Sequence, residues 1–323
     1  MCNEYDSHPM VVAGAGTMGH GIALLMARAG HRVTLLDISE ETLSEALERI
    51  QGCLHFLTAE NELSSEAIYT ILSRIQCTTD MEQLQTGRLV IEAVSEDQEI
   101  KKSFYHKVAE ICSQDTVLAS NTSYLDVFTL APEKIQDRLL ITHFFAPPYL
   151  IPLVEIVKGP RTSQQMITWI FDLLKDAGQQ PIVLDRFIPG FIVNRLQRAM
   201  GREIFHLIEG GYASPEEIDK AVLASLGIRL PVLGVVRRFD FTGLDLMQKI
   251  LSNPSIGLVD GDPKTPTLDE HVAQGHLGVK SGKGFYEYSE TDVQQVYSKR
   301  DRLLLKMRRL MQEIKDTLWE EAS

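Results

Sequence analysis

One stretch of this chain limits its fold more than any other. A short apolar run, Pro9-Met10-Val11-Val12-Ala13, leads at once into Gly14-Ala15-Gly16-Thr17-Met18-Gly19, then into an apolar run from Ile22 to Ala29 that stops at Gly30. A second run, Arg32-Val33-Thr34-Leu35-Leu36, closes on Asp37. Strand, glycine turn, helix, strand and acid in that order form the dinucleotide-binding fingerprint in its full context. Gly14 permits the tight turn, Gly16 lets the backbone approach a pyrophosphate, and Gly19 lets the helix pack close to the strand. With Thr17 and Met18 they are the residues expected against the phosphates, which the free N–H groups and partial positive charge of the helix start would hold. Asp37 suits the hydroxyls of the adenosine ribose and would repel a 2′-phosphate, and Ile38 after it is not basic. The cofactor implied is therefore NAD rather than NADP.

The alternation continues. Ser39 caps a helix with Thr42-Leu43 and Ala46-Leu47 on its apolar side. Arg88-Leu89-Val90-Ile91-Glu92-Ala93-Val94 reads as a continuous apolar strand of the parallel type. Lys101 opens the helix that follows, and Thr116-Val117-Leu118-Ala119-Ser120 is the next strand. It ends in Asn121-Thr122-Ser123. Small polar residues there stand where open α/β sheets bind ligands, although the same residues suit a simple turn cap. Gln180-Pro181-Ile182-Val183-Leu184 reads as an edge strand because of its proline. Residues 185–190 break the pattern. Beyond them one long helix runs from Phe191 to Glu209, stopped by Gly210-Gly211, and further helices follow. The fold class expected is α/β, with a dinucleotide-binding domain over residues 1–186 and an all-α domain over 187–323.

Between the strand Leu139-Leu140-Ile141-Thr142 and the strand Leu153-Val154-Glu155-Ile156-Val157 lies a loop with Pro147, Pro148 and Pro152, which forbid a helix and stiffen the crossing. His143 stands at one end and Glu155 at the other. A carboxylate on one ring nitrogen raises the proton affinity of a histidine and fixes its tautomer, which is how a general base is built. The plain alternative is a buried histidine beside a solvated strand face.

Composition excludes several classes. The chain has 323 residues, 44% of them hydrophobic and 24% charged, enough to bury a sizeable core. Its formal net charge of -12 disfavours nucleic acid. No apolar run approaches the roughly 18 residues a membrane span needs. Met1 to Pro9 is polar and acidic, unlike a signal peptide. Cys2, Cys53, Cys77 and Cys112 are scattered, which points to a reducing cytoplasm and to neither a disulfide framework nor a metal site. Near the C-terminus, the glycine-rich loop Gly278-Val279-Lys280-Ser281-Gly282-Lys283-Gly284 lacks the strand–helix context of a phosphate loop. The last helix repeats Leu304, Met307, Met311, Ile314 and Leu318, a narrow seam for its own domain or for a second subunit.

Over nearly its whole length the chain resembles the 3-hydroxyacyl-CoA dehydrogenase family. The resemblance rests on the glycine loop with Asp37, the segment from Glu96 to Lys101, Ser120-Asn121-Thr122-Ser123, and His143 with Glu155. It rests also on Pro189-Gly190-Phe191-Ile192-Val193-Asn194-Arg195 and on Gly278, Lys280, Gly282 and Gly284 before Phe285-Tyr286. It implies a Rossmann domain followed by a helical domain that forms a homodimer. It also implies that His143 is the base, that Glu155 orients it, and that Ser123 and Asn194 hold the substrate oxygen. Glu96, Lys101 and Asn121 would lie beside the cofactor. The activity implied is NAD-dependent oxidation of a short 3-hydroxyacyl-CoA, and its reverse. Some features resemble instead the branch of lambda-crystallin and L-gulonate dehydrogenase, whose substrates lack CoA. They are Ala146 where the family usually has Asn, the run from Pro147 to Glu155, Leu226-Gly227-Ile228-Arg229-Leu230, and the C-terminal helix past Tyr288. Residues 50–73 carry no Lys or Arg, where the family is lysine-rich over CoA. Arg229 could pair with a free carboxylate, so a CoA-free hydroxy acid is the second reading. The intact His143–Glu155 pair argues against a non-enzymatic NAD-binding role.

Overall fold

The structure, a computed structural model, describes residues 9–258, 265–288 and 292–318, with side chains as far as residue 314. Cys2 and the side chain of Leu318 lie outside the described residues. The chain divides into two compact units, Met1–Asn194 and Arg195–Ser323.

The first unit is built on one eight-stranded sheet in the order β3-β2-β1-β4-β5-β6-β7-β8. Its strands are β1 (Met10–Ala13), β2 (Val33–Leu36), β3 (Ile75–Thr78), β4 (Leu89–Glu92), β5 (Val117–Ser120), β6 (Leu139–Phe144), β7 (Leu153–Val157) and β8 (Gln180–Leu184). Every residue of β1, β4, β5 and β6 is buried. This burial on both faces is why these strands read as unbroken apolar runs in the sequence. Six strands are parallel, β7 runs antiparallel to β6, and β8 is parallel to β7. The proline strand β8 lies at the edge, as its sequence requires. The sequence reading has no strand at β3. Its Ile-Gln-Cys-Thr is only half-buried at the opposite edge, so it lacks the apolar continuity that marks the inner strands.

Helices α1 (Gly19–Arg28), α2 (Glu40–Ala59), α3 (Ser65–Leu72), α4 (Gln98–Ile111), α5 (Val127–Leu130) and α6 (Gln164–Asp176) connect the strands. Ser39 accepts from Thr42 N at 3.2 Å and starts α2, as expected of an N-cap. Asp97 accepts from Glu99 N and Ile100 N and starts α4, whose buried Phe104, Tyr105, Val108 and Ala109 pack on the sheet. The order of strands reverses between β1 and β4, so a crevice opens beyond their carboxyl ends.

The second unit takes over within α7 (Val193–Glu209) and continues through α8 (Pro215–Ala224), α9 (Leu226–Leu233), α10 (Arg237–Thr242), α11 (Leu244–Leu251), α12 (Pro266–Ala273) and α13 (Val293–Leu318). Ser214 caps α8 with Pro215 in its first turn. Among the described residues the unit is helical apart from isolated bridges, and no helix of the chain is long and apolar enough to cross a membrane.

Candidate active site

The nucleotide cradle begins at Gly14. Its φ of +99° belongs to glycine, and a Cβ there would meet Ala93 O at 2.4 Å. The loop after β1 thus rests directly on the loop after β4. A Cβ on Gly19 would meet Gly14 O at 1.7 Å, which is the close helix–strand packing the sequence implies. At Gly16 a Cβ would meet nothing within 4 Å, so this glycine answers to no neighbour in the chain. Met18 caps α1 without a side-chain acceptor, and a helix start of this kind suits an anion. Asp37 binds the loop itself: Oδ2 accepts from Ala15 N at 2.8 Å and Oδ1 from Ser39 N at 3.2 Å. His20, which the sequence reading passes over, holds Gly16 O through Nδ1 at 2.8 Å. Burial lowers its pKa, and the bond to Gly16 opposes that. Open space at Gly16, an uncapped helix start and an acid after β2 fit NAD.

The same edge of the sheet carries His143. It stands directly opposite Glu155 in the antiparallel pairing of β6 with β7. Nδ1 lies 2.8 Å from Glu155 Oε2. Glu155 is fully buried, and its Oε1 accepts from Ile192 N at 3.0 Å and Val193 N at 3.1 Å, where α7 begins. An oxygen that only accepts requires the proton on Nδ1 and leaves Nε2 as the basic nitrogen. Phe145 and Phe191 close on the imidazole with ring centroids at 4.5 and 5.2 Å, and His143 is only 5% exposed. Pro148 of the proline loop packs on α1, because a Cβ on Gly21 would meet Pro148 Cδ at 2.9 Å. Base loop and nucleotide helix are therefore in contact. Asn194 follows the two amides that Glu155 holds.

Asn121 ties β5 to β6: its Oδ1 accepts from Phe144 N at 2.9 Å, one residue past His143. Glu96 accepts on Oε1 from Thr122 Oγ1 and Ser123 N, both at 2.7 Å, and from Tyr124 N at 3.2 Å. Its other oxygen lies 3.2 Å from Lys101 Nζ. Lys101, expected beside the cofactor, is 1% exposed and forms its shorter ion pair, 2.6 Å, with Glu92. Glu92 and Tyr105 are absent from the sequence-based site. Glu92 accepts from Lys101 Nζ, Tyr105 OH at 2.8 Å, Ser120 Oγ at 2.6 Å and Val94 N at 3.0 Å. Burial and the neighbouring Glu92 charge hold the Tyr105 phenol well above its ordinary pKa, so it remains a donor. An acid at the end of an otherwise apolar strand was the available signal.

In the second unit, Arg229 Nη2 bonds Ser225 Oγ at 3.0 Å across the start of α9. The glycine-rich loop folds on itself, with a Cβ on Gly284 meeting Gly278 Cα at 2.8 Å, and Tyr286 OH donates to Asp219 at 2.6 Å.

A mostly parallel sheet with a dinucleotide cradle and a buried histidine–carboxylate pair defines an NAD-dependent oxidoreductase. Comparison with known proteins agrees. Residues 10–187 match the pattern of 3-hydroxyacyl-CoA dehydrogenase, NAD binding domain, and residues 190–288 that of 3-hydroxyacyl-CoA dehydrogenase, C-terminal domain. A 5-formyl-3-hydroxy-2-methylpyridine 4-carboxylate 5-dehydrogenase from Mesorhizobium japonicum is 30% identical, over 94% of this chain and 98% of its own. A 3-hydroxybutyryl-CoA dehydrogenase from Clostridioides difficile is 34% identical, over 87% of this chain and 99% of its own. Among solved structures, a 5-formyl-3-hydroxy-2-methylpyridine 4-carboxylic acid 5-dehydrogenase, described as an NAD+ dependent dismutase, superposes with a TM-score of 0.84 at 28% identity, covering 94% of this chain and 98% of that one. The chain belongs to the 3-hydroxyacyl-CoA dehydrogenase family and is an NAD-dependent dehydrogenase.

Proposed function

We propose that the protein oxidises the secondary alcohol of a compact hydroxy acid that is not carried on CoA, and catalyses the reverse reduction. The observation that carries the chemistry is the buried His143–Glu155 pair at 2.8 Å. NAD, held by Gly14, Gly16, Thr17, Met18, Gly19 and Asp37, supplies the hydride acceptor when bound. His143 takes the hydroxyl proton on Nε2. Glu155 keeps the opposite nitrogen protonated and stabilises the imidazolium. Ser123 and Asn194 hold the substrate oxygen.

Two observations favour a substrate without CoA. Residues 50–73 have no Lys or Arg, and Glu60, Glu62 and Glu66 lie there instead, a poor match for the phosphates of CoA. The resemblance to the pyridine carboxylate dehydrogenase spans 94% of the chain, against 87% for the 3-hydroxybutyryl-CoA enzyme. The second reading is the short-chain 3-hydroxyacyl-CoA itself, favoured by the 34% identity to that same enzyme. Following NADH absorbance with 3-hydroxybutyryl-CoA, free 3-hydroxybutyrate, gulonate and carnitine separates the two. Turnover of the free acids with no response to the thioester is expected. Preference for the thioester would overturn the substrate and leave the base assignment intact.

A further inference from the structure

Residues 121–126 carry no helix or strand, yet Ser123 must present its hydroxyl at a fixed point to serve a reacting oxygen. The restraint comes from Glu96. One carboxylate oxygen collects Thr122 Oγ1, Ser123 N and Tyr124 N, and Thr122 Oγ1 in turn accepts from Leu125 N at 3.0 Å. Two successive amides aimed at one anion fix the backbone between them. Glu96 is itself anchored: Lys101 Nζ holds its second oxygen, Glu92 holds Lys101, and Tyr105 and Ser120 hold Glu92. Charge-assisted hydrogen bonds thus run from the centre of the sheet to the turn.

We propose that Glu96 is a positioning residue, a carboxylate clamp that sets the 122–125 turn and acts on the reaction through Ser123. This deepens the proposed function and rests on its assignment of Ser123 to the substrate oxygen. The competing role is a cofactor contact. Oε1 already takes three donors and Oε2 faces Lys101, which fills most of what a carboxylate can accept. The two roles differ in what they do to NAD.

Lys101 and Glu92 are poor test sites, since removing one buried partner strands the other charge and endangers the fold. Glu96, with a side chain 27% exposed, is the better one. The experiment is a kinetic cycle of Glu96→Ala, Ser123→Ala and the double variant on the best free acid of the panel. NAD affinity is measured separately by fluorescence, and amide exchange is followed at Ser123 and Tyr124. Misplacement of a substrate-holding group by about 1 Å costs on the order of 10²-fold, so each single variant should lose roughly that in kcat/KM. The double variant should lose no more than the worse single, because the two act as a unit. Glu96→Gln keeps an accepting oxygen for the turn but faces Lys101 with its NH2 group, so it should recover only part of the activity lost in Glu96→Ala. NAD affinity should stay within about threefold, and exchange at both amides should rise at least tenfold in Glu96→Ala.

Additive losses, unchanged exchange, or a loss that appears wholly in NAD affinity would overturn the clamp. A silent Ser123→Ala removes the role of Ser123 and the clamp with it, and leaves the base untouched. A His143→Ala variant with wild-type turnover removes the base, while exchange still reads the clamp directly.

Discussion

Glu155 does two jobs with its two oxygens, and replacing it separates them. One oxygen faces His143 and the other gathers Ile192 N and Val193 N. Glu155→Gln can still accept from the amides while its NH2 group meets Nδ1. The imidazole is then driven to the other tautomer, with its proton on the wrong nitrogen. We expect near-normal urea stability with turnover down by at least the 10²–10⁴-fold attributed to general-base help, roughly. Glu155→Ala should lose activity and stability together, about 1–3 kcal/mol for each buried donor left unpaired. His143→Ala should cut turnover as deeply while leaving NAD affinity near normal. If either His143→Ala or Glu155→Gln stayed within twofold of wild-type turnover, the pair would not be the catalytic base.

Glu96 gives the pH dependence at this scale. Burial pushes its pKa up, but the Thr122 hydroxyl, the Lys101 charge and the Ser123 amide outweigh that and leave it lowered. A carboxyl with a depressed folded pKa contributes stability above its unfolded value, near 4.3 for Glu, and loses it as pH falls through the folded value. The 122–125 turn should hold unchanged from neutral pH down to about 4.3 and loosen only below it. Amide exchange at Ser123, corrected for its intrinsic pH dependence, reads this, and loosening between pH 7 and 5 would contradict it.

Residues of this kind differ in how far a sequence exposes them. His143 and Glu155 were legible because one proline-interrupted connection joins two short strands, which leaves few ways to pair them. Glu92 was not, because its partners stand 9, 13 and 28 positions away and only the folded sheet gathers them.

At the scale of elements, the glycines of the first turn divide by what constrains them, and so should their variants. Gly14 is fixed by a φ of +99° and by Ala93, and Gly19 by the Gly14 carbonyl. An alanine at either site must displace backbone, so Gly14→Ala and Gly19→Ala should lower the melting temperature of the protein without cofactor. Gly16 has nothing within 4 Å of its would-be Cβ. Gly16→Ala should melt normally without NAD and bind NAD at least tenfold more weakly, since only the pyrophosphate needs that space. Calorimetry with and without NAD distinguishes the three. A Gly16→Ala protein with full NAD affinity would mean that the phosphates lie elsewhere. The inner strands and this turn could be read in advance because local pattern and global fold agree there. Strand β3 could not, since a half-buried edge strand needs only a neighbour and not a pattern. Gly21, whose packing on Pro148 joins α1 to the base loop, was hidden for a similar reason: its partner is far away in the chain.

For the whole molecule, the distribution of exposed apolar side chains is uneven. Most of the large ones lie in the second unit, among them Leu196 and Met200 on α7, Leu244 and Leu246 on α11, and Leu303, Met307 and Leu310 on α13. Within α13, Leu305 is buried and Leu303, Met307 and Leu310 stand one helical turn apart on an open face. Of the seam read from the sequence, Met307 and Met311 are therefore on the outside of the unit. Faces of this kind mark protein contacts, and we infer a homodimer through the helical unit. Each chain carries a formal charge of -12, so two copies repel, and the repulsion is screened by salt while apolar burial is not. Sedimentation should therefore give a two-chain mass whose dissociation constant falls as sodium chloride rises from about 10 mM to 300 mM, where the Debye length shrinks from about 30 Å to under 10 Å. Leu310→Glu adds a charge to the open face and should yield single chains at the same concentrations, with NAD affinity of the first unit retained. A single-chain mass for the unaltered protein at every salt and concentration would remove the dimer, and a Leu310→Glu protein that still pairs would move the interface off α13.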